Sequence, residues 1–276
     1  LAGAAVMAGI VNPPLRHLLV AISKVHKGDF QAGQLDEAVS TKEIREVNIG
    51  FNRMAEQMAK VEQERAVMLA GISHDLRTPL ARLRLEVEMS VTDPESQRYM
   101  VADIEQLDAI ISKFMDYARP EALEPSTVHL ADAVQTCVYP YLNVSDMRVQ
   151  TNVPHTLRVT ADEVELARVI SNLMENARRY GKTPGTDVTE LTIQAKAVGA
   201  YVQLQMYDHG SGVPEHILSS LTQPFFRADE ARTSAVGSGL GLAIVKKVVE
   251  HMGGVLTLSN RPQGGLLAHI ELPRAK

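Results

Sequence analysis

Apolar residues recur at steps of three and four positions along two neighbouring stretches, and this spacing constrains the fold more than any other feature. The first stretch runs from Met54 to Val87 and the second from Ile104 to Ala118. Such spacing predicts helices with one apolar face. The segment Thr92–Glu95 separates them, so we expect an antiparallel hairpin. One hairpin leaves its apolar stripe uncovered, whereas two copies bury it in a four-helix bundle, so we predict a homodimer.

A reactive group is predicted within the first of these helices. Residues 73–80 have the sequence Ser-His-Asp-Leu-Arg-Thr-Pro-Leu. His74 and Thr78 are one helical turn apart and face the same side. Asp75 lies close enough to hydrogen-bond an imidazole nitrogen and hold its tautomer, and Pro79 lets the helix bend because it has no amide hydrogen. A lone histidine is more often an ordinary surface or core residue, so this interpretation depends on a second set of residues downstream.

Beyond Ser126 the pattern changes to short strands and helices. We predict helices near 130–139, 162–180 and 240–252, and strands at 148–153, 157–160, 190–197, 201–207, 254–259 and 266–272. Asp162 with Glu165 predicts a capping box, and Gly181 a helix end. This order indicates an α+β sandwich with helices over one sheet face. The 276 residues allow two or more domains, so we expect a helical relay and a dimeric bundle followed by this sandwich.

Composition and charge exclude several classes of protein. The net charge of −5 argues against nucleic-acid binding through a basic surface. The single cysteine, Cys137, excludes an intrachain disulfide and a multi-cysteine metal site, and it indicates a reducing, cytosolic compartment.

The N-terminal residues 1–11 are apolar and uncharged but too few to span a bilayer. They are either the inner end of a transmembrane helix or a buried soluble helix, and both interpretations stay open. Asn12-Pro13-Pro14 predicts a helix break, and a new helix is expected from about Leu15 to His26. A further helix is expected from Glu43 after an extended connector.

Two asparagines one helical turn apart suggest that the predicted helix 162–180 uses polar side chains to bind a ligand. Asn172 and Asn176 face the same way, although asparagine is unfavourable inside a helix. Asn176 could offer its carbonyl oxygen to Mg²⁺, which prefers oxygen ligands. Arg178, Arg179 and Lys182 could then lie near phosphates. A solvated helix face is the alternative interpretation of these residues taken alone.

Two glycine-rich segments complete a possible nucleotide site. Asp208-His-Gly-Ser-Gly follows a strand, so its glycines would let the backbone approach a flat ligand and Asp208 could accept a hydrogen bond from an exocyclic amine. Gly237-Ser-Gly-Leu-Gly-Leu opens a helix whose N-terminus would favour an anion, but it matches neither a Walker nor a Rossmann motif. Between them, Phe225 and Phe226 would clamp a lid, dock on the helical bundle or anchor the loop in the core.

Taken in order, these segments resemble the H, N, G1, F and G2 boxes of bacterial sensor histidine kinases. The chain is most similar to the osmosensor (EnvZ) class, which shares the octet 73–80 and the stretch around Ala231-Arg-Thr-Ser. Residues 12–65 resemble a HAMP signal-relay module, particularly at Glu43 and Phe51–Met54. The resemblance therefore implies the end of a transmembrane helix at 1–11, a HAMP relay at 12–65, a dimerisation and phosphotransfer hairpin at 66–122 and a catalytic ATP-binding domain at 126–273.

The resemblance also implies roles for single residues. His74 would be the phosphoacceptor, Asn176 would bind Mg²⁺ and Asp208 would read adenine. Asp75 would hold the second ring nitrogen of His74, and Thr78 would orient a water for dephosphorylation of the regulator. The residues implied around ATP are Asn172, Asn176, Tyr180, Lys182, Asp208, Gly210, Gly212, Gly237, Gly239, Leu240 and Gly241. Ser211, where the family often has proline, and Lys42, where an acidic residue is usual, are departures.

The implied activity is ATP-dependent autophosphorylation of His74 followed by transfer to an aspartate of a response regulator, with regulator phosphatase activity, at the cytoplasmic face of the bacterial inner membrane. A different ATPase of the same nucleotide fold, or a non-enzymatic membrane relay, is the alternative.

Overall fold

The computed structural model describes residues 2–26, 30, 33–39, 41–118, 123–227 and 237–275; the side chains of residues 2–11 and 26 lie outside this description. The chain divides into two compact units, Leu1–His74 and Asp75–Lys276. Among the described residues, no helix has the length and apolar character needed to span a bilayer. Residues 27–29, which follow the helix predicted to end at His26, and the similarity around residues 231–234 fall outside the described residues.

The first unit contains helix α1 (Ala2–His26), a connector and the first part of helix α2 (Lys42–Ser90). The expected order of helix, connector and helix is therefore confirmed. Asn52 fixes the connector, because its side chain accepts a hydrogen bond from Leu35 N and donates one to Leu35 O, both at 2.9 Å. The buried cluster of this unit is small and consists of Ala21, Val25, Leu35, Phe51 and Ala55.

The predicted helix break at Pro13 and Pro14 is wrong, because α1 continues through both residues. Each proline removes one amide donor, but its fixed φ near −65° is itself helical. The residues before and after the pair continue the helix, so the loss of two donors does not end it. Pro79 is likewise accommodated within α2.

The predicted antiparallel hairpin is confirmed in the second unit, which holds the last part of α2 and helix α3 (Pro94–Ala118). Two ion pairs join the helices: Arg77 Nε lies 3.3 Å from Asp108 Oδ1, and Arg84 Nη1 lies 3.2 Å from Glu105 Oε1. Asp93 caps α3 by accepting a hydrogen bond from Ser96 N at 3.0 Å. The hairpin exposes apolar side chains such as Leu76, Leu83 and Leu107. A dimer would bury these residues, and the homodimer stays a prediction.

The remainder of the second unit is the predicted α+β sandwich. Its elements are β1 (Ser126–His129), α4 (Leu130–Val138), β2 (Met147–Asn152), β3 (Arg158–Ala161), α5 (Glu163–Tyr180), β4 (Thr189–Val198), β5 (Tyr201–Asp208), α6 (Gly241–His251), β6 (Val255–Asn260) and β7 (Leu266–Pro273), with short 3₁₀ turns at Tyr139–Tyr141 and Glu215–Ser220. The helices pack on the sheet through fully buried residues such as Leu166, Ile170 and Ile244. The main sheet has the strand order β2-β4-β5-β7-β6, in which β2 and β4 are parallel and the other neighbours are antiparallel.

Two local predictions for α5 need correction in detail. Asp162 caps the helix as expected, accepting from Val164 N at 2.9 Å and Glu165 N at 3.0 Å. The reciprocal half of the capping box is absent, because the Glu165 carboxylate pairs with Arg168 at 2.8 Å instead. Gly181 ends the helix, but its φ of −96° is not the left-handed value typical of a glycine cap.

Candidate functional site

A cavity of about 650 Å³ lies between α5, the start of α6 and the segments that follow β5. Its wall brings together residues that are far apart in the sequence, which is the main spatial prediction from the motifs. The sequence-predicted residues that line it are Asn172, Asn176, Arg179, Tyr180, Lys182, Asp208, Gly212, Gly237, Gly239 and Gly241.

Two predicted residues, Gly210 and Leu240, do not line the cavity. Gly210 lies behind the wall, where its amide donates to Asp208 Oδ1 at 2.9 Å. Leu240 is fully buried in the core at the residue before α6. Both residues therefore contact the lining residues rather than the open space.

Asp208 is the buried acidic group at the end of β5. Its side chain is only 6% exposed, and Oδ1 accepts hydrogen bonds from Gly210 N at 2.9 Å and Leu266 N at 3.2 Å. Burial raises the pKa of this carboxyl, although the two amide donors partly oppose it. A carboxyl fixed in this way can accept a hydrogen bond from a ligand donor that enters the cavity.

The absence of a side chain at three glycines leaves space for Asp208 and the backbone around it. A Cβ on Gly181 would lie 2.6 Å from the Asp208 Cβ, and one on Gly265 would lie 2.0 Å from the Asp208 carbonyl oxygen. A Cβ on Gly210 would lie 2.9 Å from the Gly181 Cα. Because real Cβ atoms do not approach this closely, a side chain at any of these positions would displace the carboxyl or the backbone around it.

The polar face of α5 forms one wall of the cavity. Asn172 is 8% exposed, its Nδ2 donates to Arg168 O at 2.9 Å, and its Oδ1 accepts from Lys113 Nζ at 2.9 Å. Asn176 lies one turn later in the same wall and is half-buried. Arg178 does not line the cavity, because it pairs with Asp146 at 3.0 Å. The expectation that Arg178 lies beside the other predicted phosphate-binding residues is therefore not supported.

A metal ion at this site would depend on few protein ligands. Within the described ranges, no cluster of three or more His, Cys, Asp or Glu residues could hold a metal. The Asn176 amide offers one hard oxygen ligand, which suits Mg²⁺ because that ion keeps several waters and binds substrate phosphates. The residues therefore fit a magnesium ion that arrives with a nucleotide better than a permanent metal centre.

The glycines before α6 allow the backbone to pack closely against its neighbours. A Cβ on Gly237 would lie 2.5 Å from the Tyr180 hydroxyl, and one on Gly239 would lie 2.7 Å from the Phe225 carbonyl carbon. Gly239 has a left-handed φ of +66°, and its carbonyl accepts from Phe225 N at 3.0 Å. The backbone at the α6 N-terminus can thus lie directly against the cavity, where its amides favour an anion.

The two phenylalanines separate into different roles. Phe226 lines the cavity, whereas the exposed Phe225 faces helix α3, where its ring centroid lies 6.2 Å from that of Phe114. Phe225 also adopts a φ of 65°, which is unusual for a residue with a bulky side chain. Of the alternatives left open by the sequence, docking on the helical hairpin describes Phe225, and the loop-anchor alternative does not.

His74, Asp75 and Thr78 all lie in α2, and all three side chains are exposed. An exposed imidazole is accessible to a phosphoryl donor and to a partner protein. His74 belongs to the first compact unit, and Asp75 and Thr78 belong to the second.

Sequence reasoning missed several residues around the cavity. The Asn260 side chain accepts from Val213 N at 3.0 Å and donates to Val213 O at 2.6 Å, which holds the segment after β5. Arg261 stacks over the Tyr207 ring at 4.0 Å and donates to Asp208 O at 3.3 Å. Lys113 reaches the cavity from α3. The pair Gly264-Gly265 was the one local signal that this region needs unusual backbone room.

Comparison with protein families identifies two domains along the chain. Residues 64–123 match the His Kinase A (phospho-acceptor) domain, and residues 161–276 match the histidine kinase-, DNA gyrase B- and HSP90-like ATPase family. The chain is 31% identical over 263 residues to the sensor histidine kinase GtrS of Pseudomonas aeruginosa, covering 95% of this chain and 52% of GtrS. The chain therefore combines a histidine kinase phospho-acceptor domain with a histidine kinase-like ATPase domain. The histidine kinase BaeS of Escherichia coli is 29% identical over 278 residues, covering 94% of this chain and 57% of BaeS.

The chain spans about half the length of the curated relatives it matches. Two solved structures support the fold alone. Full-length ShkA in complex with AMPPNP has a TM-score of 0.60 at 22% identity, covering 76% of this chain and 46% of ShkA. The histidine kinase AdeS of Acinetobacter baumannii has a TM-score of 0.52 at 21% identity, covering 74% of this chain and 98% of AdeS. The predicted types of domain, phospho-acceptor and ATPase, and the predicted fold of a helical region followed by a sandwich are confirmed.

Proposed function

We propose that this chain autophosphorylates His74 from ATP and passes the phosphoryl group to an aspartate of a response regulator. The observation that carries the proposal is the cavity wall that joins Asp208, Asn176 and the glycines before α6, in a chain with a phospho-acceptor domain. The exposed imidazole of His74 supplies the matching acceptor.

In the proposed complex, Asp208 recognises the adenine base. Both of its backbone hydrogen bonds go to Oδ1, so we assign Oδ2 to the exocyclic amine of adenine. Gly212, Tyr180 and Lys182 line the cavity with it and would contact the nucleotide. Gly210 and Leu240 support these contacts from behind the wall.

The phosphates would lie against the other part of the cavity wall. The glycines Gly237, Gly239 and Gly241 let backbone amides approach the anion, and the α6 N-terminus adds a positive dipole end. Asn172 and Asn176 add side-chain amides. A bound Mg²⁺, with Asn176 as its protein ligand, would neutralise charge on the phosphates.

Phosphoryl transfer needs in-line placement more than covalent help from the protein. One ring nitrogen of His74 forms a bond to the γ-phosphorus while the bond from that phosphorus to the β,γ-bridging oxygen breaks, and ADP leaves. Asp75 holds the other ring nitrogen and raises the nucleophilicity of the imidazole. The resulting phosphoramidate can pass its phosphoryl group to a regulator aspartate, and Thr78 would orient the water that later hydrolyses the phosphorylated regulator.

We infer further that the chain acts as a homodimer at the cytoplasmic face of the bacterial inner membrane. The proposed organisation is that of an osmosensor (EnvZ) class kinase. It has a transmembrane-helix end at 1–11, a HAMP relay at 12–65, the phosphotransfer hairpin at 66–122 and the catalytic domain at 126–273. The exposed apolar stripe of the hairpin supports the dimer. The helix–connector–helix order of the first unit supports the relay.

Incubation of the purified chain with γ-labelled ATP and Mg²⁺ tests the proposal. We expect acid-labile, base-stable label on the protein, which is the behaviour of phosphohistidine, and none on His74→Gln. His155→Gln is the matched control, because that histidine is exposed on a loop outside the phospho-acceptor domain, and it should label normally. Label that persists in His74→Gln, or an absence of label on the unaltered chain, would refute the proposal.

A further inference from the structure

Lys113 is part of the cavity wall although it belongs to helix α3 of the hairpin. Its Nζ donates to Asn172 Oδ1 at 2.9 Å. Neighbouring residues hold α3 in place, since Phe114 contacts the Phe225 ring and the Tyr117 carbonyl accepts from Lys247 Nζ at 3.0 Å. The Lys113 amine is therefore brought to the cavity by a packed interface.

The Lys113 amine lies beside the start of α6, away from Asp208, the residue that is predicted to bind adenine. A Cβ on Gly241 would lie 3.6 Å from Asn172 Oδ1, the atom that accepts the Lys113 hydrogen bond. Asp208 instead lies against Gly181, at the far end of α5. Lys113 is thus at the end of the cavity where the helix N-terminus favours an anion.

The charge on Lys113 is poorly compensated by its surroundings. Burial lowers the pKa of the amine, Glu175 and Asp116 act to raise it, and Arg179 and Arg168 act to lower it. Its hydrogen bond goes to a neutral amide rather than to a carboxylate. A partly buried cation gains most from a partner of opposite charge, and a phosphate in this part of the cavity would be one.

We propose that Lys113 contacts the phosphate groups of the bound nucleotide, so that the hairpin helix α3 supplies one residue of the phosphate site. This inference rests on the proposed binding of ATP. It implies that nucleotide phosphates and the position of α3 are linked, because each favours the arrangement in which the other is bound.

Calorimetric titration with ATP and Mg²⁺, and separately with adenosine, tests the assignment. We compare the unaltered chain with Lys113→Met, which keeps the apolar stem, and Lys113→Gln, which can still donate to Asn172 but carries no charge. Lys196→Met on β4 is the control, because Lys196 is exposed and does not line the cavity. We expect ATP affinity to fall about tenfold in both Lys113 variants, the size of one charge-assisted hydrogen bond. Adenosine affinity should not change.

The other outcomes of this experiment would overturn either the inference about Lys113 or the proposed function. If Lys113→Gln binds ATP as tightly as the unaltered chain, the lysine only holds α3 against α5 and the inference is wrong. Equal losses for ATP and adenosine would also overturn it, because the cavity shape would then be responsible. If thermal unfolding shows that Lys113→Met does not fold, Lys113→Gln decides. Failure of the unaltered chain to bind either ligand would instead refute the proposed function.

Discussion

Gly181 lies so close to Asp208 that a methyl group on Gly181 would come within 2.6 Å of the Asp208 Cβ. The φ of Gly181 is −96°, a value open to any residue, so the backbone conformation does not require glycine here. The missing side chain is needed for space. The end of α5 and the end of β5 meet at this point, and the position of the buried carboxyl depends on their contact.

Replacing Gly181 with alanine should displace Asp208. We expect the free energy of unfolding to fall by about 1–3 kcal/mol, the usual cost of overpacking, and adenosine binding to weaken. Urea unfolding and calorimetry would measure the two effects. Gly50→Ala is the matched control: Gly50 lies in α2 with no atom within 4 Å of an added Cβ. That change should raise stability by up to about 1 kcal/mol through helix propensity. A Gly181→Ala chain that is stable and binds adenosine normally would contradict the packing argument.

Asp208→Asn should separate ligand binding from stability. The buried carboxyl has its pKa raised above the ordinary 3.8, so its contribution to folded-state stability is fully present below pH 3.8 and is lost as pH rises through the folded-state pKa. An asparagine removes this decline, so the variant should be at least as stable as the unaltered chain at neutral pH.

The same variant places an amide where we assign the acceptor for the adenine amine. Adenosine affinity should therefore fall about tenfold or more, the typical value of a hydrogen bond to a charged group. Thermal unfolding between pH 3 and 8 and calorimetry provide the two measurements. Asp132→Asn, at an exposed position on α4, should leave adenosine affinity unchanged. Adenosine affinity retained in Asp208→Asn would be evidence against the adenine assignment.

Thr78→Ala should abolish dephosphorylation of the regulator and leave labelling of His74 intact. The prediction follows because a hydroxyl that orients water is needed for hydrolysis but not for attack on ATP. Loss of phosphate from a labelled receiver domain, followed with and without the kinase chain, measures it. Thr92→Ala in the hairpin turn is the control and should preserve both activities. Equal loss of both activities in Thr78→Ala would show that the two tasks are not divided in this way.

Phe114 and Phe225 should be energetically coupled. Their ring centroids are 6.2 Å apart with a tilt of 32°, an arrangement in which aromatic pairs contribute about 0.5–1.5 kcal/mol beyond area burial. Urea unfolding of both alanine variants and of the double variant measures the coupling. Combining Phe114→Ala with Tyr139→Ala, at an exposed position on a 3₁₀ turn, should be additive. Additive effects for the Phe114 and Phe225 pair would mean that the contact contributes nothing measurable.

Local signals in the sequence were sufficient for most of the secondary structure. Asp162 and Gly181 mark the two ends of α5. The strands predicted at 190–197 and 201–207 are β4 and β5, which a turn at Gly199 joins with a φ of 59°. Strand β1 was missed because its four residues depend on pairing with β3 rather than on their own pattern. The break predicted at Pro13 and Pro14 was wrong because sequence rules treat proline as a stop even where the helix continues on both sides.

The site was predictable only where its residues carry their own motif. Asp208, Asn176 and the glycines before α6 stand in short recognisable segments, and the fold brings them to one wall. Lys113 carries no such motif, because it reaches the cavity from a helix whose sequence pattern describes only the hairpin. Asn260 contributes through two hydrogen bonds to Val213, a contact across a long sequence separation that no local pattern reveals.

Helix α5 and the residue that caps it lie along the cavity, with Asn172 near the start of α6 and Gly181 against Asp208. At a rise of 1.5 Å per residue these positions are about 13 Å apart along the axis. Because the helix is rigid, this distance sets the length that a molecule needs in order to contact both ends of the cavity together. A small molecule at one end makes only the contacts of that end. The affinity of inhibitors that are extended from Asp208 should therefore increase sharply once they reach Asn172.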